Sequence, residues 1–113
     1  MRDRLYQTLL SLGYPVHLQG TMNPDEAYPP HFITFFTQAS NDAANFDNDT
    51  VAVSWRFQVA FYSTDPLLIA SFPNTIRTTL KEAGFIPQGR GYDLPSDEPT
   101  HTGWVQEFLA LET

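Results

Sequence analysis

The chain contains no cysteine, which removes disulfide frameworks, thiolate zinc sites and cysteine nucleophiles from consideration. It is also poor in bases: six Lys and Arg stand against thirteen Asp and Glu, a formal charge of −7. A protein that grips a phosphate backbone needs the opposite balance, so sequence-specific nucleic-acid binding is not expected. Apolar runs extend over only a few residues, well short of the roughly 20 that span a bilayer, and no membrane partner is expected. Met1-Arg2-Asp3-Arg4 leads straight into an amphipathic pattern, without the apolar core and cleavage site of a signal peptide. The expected compartment is the cytoplasm, or a particle assembled there.

What is present fits one domain spanning residues 1–113. A chain of this size buries roughly two-thirds of its extended surface on folding, enough for one core. Aromatic residues make up 14% of the chain, with nine Phe among them, so large rings are expected to fill that core.

Leu5, Tyr6, Leu9, Leu10 and Leu12 recur at helical spacing, and Gly13 with Tyr14-Pro15 ends the pattern. Val16-His17-Leu18 reads as a brief strand. Phe32, Ile33, Phe35 and Phe36 leave neither face of the segment from His31 to Gln38 polar, as in a strand buried on both sides. Polar residues from Gln38 to Asp49 then read as a long loop of the kind that carries function.

The clearest signal follows. Val51, Val53, Trp55, Phe57, Val59 and Phe61 hold the odd positions, while Ala52, Ser54, Arg56, Gln58, Ala60 and Tyr62 hold the even ones. Such alternation predicts one strand from Thr50 to Ser63, about 40 Å long and roughly twice the usual length. Asp65-Pro66 marks a helix start. Ile69, Phe72, Ile76, Leu80 and Ala83 form its stripe, and Gly84 ends it. Pro73 predicts either a kink or a short turn leading into a second helix. Phe85 to Gly103 is rich in turn residues, with Gly89-Arg90-Gly91 read as a turn and short strands at Phe85-Ile86 or near Tyr92. Thr102 to Leu111 is the last strand. The fold class expected is α+β, a mostly antiparallel sheet with two helices packed on one face.

Residues for catalysis are not evident. His17, His31 and His101 stand far apart, without the spacing of a helical metal site. The acidic run from Asp42 to Asp49 lacks the glycine and the final glutamate of a calcium loop. Gly89-Arg90-Gly91 lacks the third glycine of a dinucleotide fingerprint. Neither enzyme chemistry, nor a metal, nor a cofactor is expected. The even face of the long strand (Ser54, Arg56, Gln58 and Tyr62) either faces water or meets a neighbouring subunit, where Arg and Tyr are favoured.

Several stretches together resemble the tail-terminator and tail-completion (head–tail joining) proteins of long-tailed bacteriophages and prophages. They are Tyr28-Pro29-Pro30-His31-Phe32-Ile33-Thr34-Phe35-Phe36, the Ala44-Asn45-Phe46-Asp47-Asn48 segment, and Val59-Ala60-Phe61-Tyr62-Ser63 with Asp65-Pro66. Ile76 to Phe85, Tyr92 and the strand from Trp104 complete the set. The likeness runs from about Leu5 to Leu111. It implies a structural part of the virion tail or neck, present in the host cytoplasm during assembly. Such a part forms a homo-hexameric ring at the head-proximal end of the tail tube, with tail-tube and head-completion proteins as partners. Six copies at −7 each carry −42, a lumen DNA would pass without adhering. The resemblance makes Ser54, Arg56, Gln58 and Tyr62 candidate subunit contacts. Asp42, Asn45, Asp47, Asn48 and Asp49 become a candidate loop toward the lumen or a partner. A small-ligand or peptide-binding α+β module without catalysis is the alternative, and an acidic accessory domain for a basic partner a third reading.

Overall fold

The computed structural model describes residues 1–18, 29–46, 49–95 and 100–112. Its elements follow in the order α1 (Arg2–Leu10), β1 (Val16–Leu18), β2 (His31–Phe46), β3 (Asp49–Ser63), α2 (Pro66–Glu82), β4 (Ile86–Pro95) and β5 (Thr102–Glu112). The strands form one sheet in the order β1-β2-β3-β5-β4. Only the β1–β2 pair is parallel. This is the expected α+β fold, a mostly antiparallel sheet with both helices packed against it.

β3 sits at the centre because its sequence suits burial on two edges. From His31 to Ser63 the chain has neither Gly nor Pro, although it holds six and nine of them elsewhere. Every position there can therefore hold extended backbone and serve the ladder. Phe57, Val59 and Phe61 point to the helices and are fully buried. Cross-strand partners extend each into a row: Thr37–Phe57–Phe108, Phe35–Val59–Gln106 and Ile33–Phe61–Trp104. Leu5 and Leu9 from α1, and Ile76 and Leu80 from α2, close the core over these rows. Phe57 stacks on Trp55 at 5.7 Å and meets Phe85 edge-on at 6.0 Å.

α2 starts as its sequence indicates. Asp65 Oδ1 accepts from the Leu67 N–H at 2.9 Å, and Pro66 occupies the first turn, where its missing N–H costs nothing. Pro73 lies buried within one continuous helix, so no turn divides α2 into two helices. The ring removes one helical hydrogen bond there, and packing of the apolar stripe against the sheet offsets the loss.

The segment Gln38–Asp49 corrects the reading from sequence. Residues as far as Phe46 belong to β2, pairing Ala39↔Arg56, Asp42↔Val53, Asn45↔Thr50 and Phe46↔Asp49. Irregularities fall between Thr37/Ala39, Asp42/Ala44 and Ala44/Asn45. The polar residues mimic a loop because they carry no apolar alternation, the signal by which a strand is read from sequence. Cross-strand hydrogen bonding sets their conformation instead. Similarly, Gly89-Arg90-Gly91 is not a turn between two short strands but a bulge inside the single strand β4, between the pairs Gln88↔Glu107 and Tyr92↔Val105.

Phe57→Ala should cost about 3–5 kcal/mol, the range for deleting a fully buried ring. Urea denaturation followed by circular dichroism measures it, and a loss below about 1 kcal/mol would contradict the central position given to this ring.

Candidate functional site

The sheet face turned away from the helices is built of cross-strand rows. From one end they read Leu94–Gly103–Tyr62–Phe32, then Tyr92–Val105–Ala60–Thr34, then Gln88–Glu107–Gln58–Phe36, then Ile86–Leu109–Arg56–Ala39; the pair Leu111–Ser54 follows. Ser54, Arg56 and Gln58 thus occupy successive rows of one face, and Tyr62 the row beyond Ala60, as the alternation of the strand requires.

The two ends of this face differ. At the first end Tyr62 lies across Gly103, where an added Cβ would come within 2.8 Å of the ring. Phe32 stacks on Tyr62 at 5.0 Å and 19° and meets His101 at 5.7 Å. Phe32 is consequently 2% exposed, and Tyr62 is engaged in packing within its own chain. At the other end Arg56 is exposed, with Ile86 57% and Leu111 58% exposed beside it. A groove of about 440 Å³ runs between these side chains, bounded also by Ala39, Ser54 and Leu109. Arg56 makes no ion pair among the described residues.

The sequence-based list included Arg56 and missed Ile86, Leu109 and Leu111. For Leu109 and Leu111 the signal lay in the last strand, where Trp104, Val105, Phe108, Leu109 and Leu111 occupy both parities, the mark of a strand with two apolar faces; Ile86, at the start of β4, has no such pattern around it. Asp42 and Asn45 are in β2 and Asp49 opens β3, so these three are strand residues rather than loop residues. Asp47 and Asn48 lie outside the described residues.

The remaining polar clusters serve structure. Gln106 faces the helices and is 1% exposed, a costly position for an amide without partners. Its Nε2 donates to the carbonyls of Gly89 at 2.6 Å and Gln88 at 3.3 Å. Arg77 also donates to the Gly89 carbonyl at 3.3 Å, and Trp104 Nε1 to that of Arg90 at 3.4 Å. Carbonyls that the bulge withdraws from the ladder are recovered in this way. Gly91 must be glycine: its φ is +78°, and a Cβ would sit 2.5 Å from both Trp104 Nε1 and the Val105 carbonyl oxygen. His31 Nδ1 shares a hydrogen bond with Ser63 Oγ at 2.7 Å, while His101 Nε2 donates to the Pro29 carbonyl at 2.8 Å. No three His, Asp or Glu side chains converge on a metal-sized site among the described residues.

Met1 and Glu112 fasten the distal end of the core. The terminal ammonium donates to Glu112 Oε2 at 3.1 Å and Trp55 Nε1 donates to Oε1 at 3.3 Å. The hydrogen bond from the ammonium is the main cause holding the Glu112 carboxyl below the ordinary carboxylate value; partial desolvation opposes it, and the ammonium's charge and, least, the indole add to the lowering. Among the described residues no helix is long and apolar enough to cross a membrane. No protein-family model matches this chain, and comparison with curated proteins finds no significant match.

Two outcomes are expected. Arg56→Ala should change stability by no more than about 0.5 kcal/mol, whereas Tyr62→Ala should cost about 2 kcal/mol through lost stacking. Equal effects in denaturation would show that the two ends of the face do not differ. Because the folded pKa of Glu112 is depressed, its contribution is present above the ordinary carboxylate pKa and fades as pH falls through the folded value. Wild type should therefore exceed Glu112→Gln in melting temperature at neutral pH, with the gap closing in acid; a pH-independent gap would refute the ionic origin.

Proposed function

We propose that the chain is a structural assembly protein of a bacteriophage or prophage tail, a tail-terminator or tail-completion part that forms a ring at the head-proximal end of the tail tube. The observation that carries this reading is the second sheet face. It presents exposed Ile86, Leu111 and Tyr92 on rigid strands, where a soluble domain acting alone gains nothing from them. The elongated body, 53 × 29 × 23 Å, gives side-by-side subunits a long flank for contact. The order of elements, a helix and a short strand, a long hairpin, a helix and a final hairpin, supports the reading. An acidic surface with few cations suits a lumen through which DNA slides, since like-charge repulsion acts over about 8 Å at physiological salt.

The test mixes the purified protein with the tail-tube protein encoded nearest to it. Gradient sedimentation and negative-stain images should show rings seated at one end of tubes and a shorter, narrower length distribution. A monomer both alone and with the tube protein, leaving tube length unchanged, would overturn the reading.

A further inference from the structure

Resting on that assembly reading, the geometry points to a specific head-to-tail contact: the Arg56 groove of one copy receives the Asp65-Pro66-Leu67 corner of the next. Leu67 is the most exposed large apolar side chain of the described residues, at 78%. It is held out rigidly, on the first turn of a capped helix, with Pro66 before it and its carbonyl accepting from Ser71 Oγ at 2.9 Å. A side chain fixed in this way loses little freedom when it docks.

The groove offers what this corner lacks. Ile86, Leu109 and Leu111 give an apolar lining for a leucine, and Arg56 gives a charge for Asp65. Charge makes this pairing selective. Two copies at −7 repel each other, so a contact that sets a cation against an acid is favoured over one that does not. Of the six bases, Arg2 and Arg4 lie on α1, Arg77 and Lys81 on α2, and Arg90 in the β4 bulge. Arg56 is the base of the second face. Glu107 lies in the next row of that face and forms no ion pair with it.

Position then bears on the symmetry. Arg56 and the end of β3 at Ser63 are seven residues apart, about 23 Å along the strand at roughly 3.3 Å per residue. The corner lies just beyond Ser63 and continues into a helix on the opposite face. Because the two patches differ and lie at opposite ends, a contact repeated head to tail leaves each chain of copies with one open groove and one open corner. Such a contact links copies heterologously and makes a ring when its rotation closes.

Because the chain has no cysteine, single thiols can be placed without background. Ser54→Cys marks the groove, and Ser71→Cys marks the exposed turn beside Leu67. At high protein concentration, with tube protein added, a short bismaleimide should join the two variants when mixed and neither variant to itself. Adding Arg56→Glu to the Ser54→Cys chain should reduce that product at least tenfold while leaving the melting temperature unchanged. No product in the mixture would overturn the contact, and so would a self-linked Ser54→Cys dimer, which signals groove-to-groove pairing. A cross-linked product without any effect on tube length would keep the contact and sink the tail role; capped tubes without the product would do the reverse.

Discussion

The two-sided hydrogen bonding of β3 governs the rest of the molecule. From Val53 to Ser63 it pairs with β5, and over the same stretch with β2, so its side-chain parity is imposed on both neighbours. A shift of one residue in either ladder would send Phe57, Val59 and Phe61 to the wrong face and leave α1 and α2 without a core. No register is pinned by a disulfide here. Large rings in consecutive rows do that work, and they tolerate little displacement because interiors are packed at crystal-like density.

Much of this was legible in the residues. The alternation from Val51 to Phe61 marked both the central strand and its buried side, and Asp65-Pro66 with Gly84 marked the second helix. What escaped was structure stabilised away from the core. Residues from Gln38 to Phe46 carry no apolar period, so periodicity reads them as a loop; only their partners across the ladder make them a strand. Gly89-Arg90-Gly91 was misread for a related reason. Glycine pairs usually close turns, whereas here they let three residues face one buried glutamine. The candidate face was half legible, since β3 supplies Arg56 while Ile86, Leu109 and Leu111 arrive from strands far along the chain.

The asymmetry of the second face matters more than its average polarity. One end is covered by its own chain through Phe32, Tyr62 and His101, and the other is left with leucine, isoleucine and a single arginine. The polar row Gln88–Glu107–Gln58 separates them. A partner therefore meets a bounded patch rather than a continuous apolar sheet, which limits adhesion to surfaces that bring an acid at the right distance from an apolar side chain.

The clasp between Met1 and Glu112 bears on how the protein should be handled. Met1 and Glu112 meet beside Trp55, one residue from Leu111 at the margin of the Arg56 groove. An affinity tag fused before Met1 would displace the ammonium that Glu112 binds, beside that groove. Preparations tagged there are thus poor reporters of self-association. The same proximity suits circular permutation: a short linker can join Glu112 to Met1, and the chain can be opened at Gly13, whose positive φ marks an exposed turn clear of the sheet.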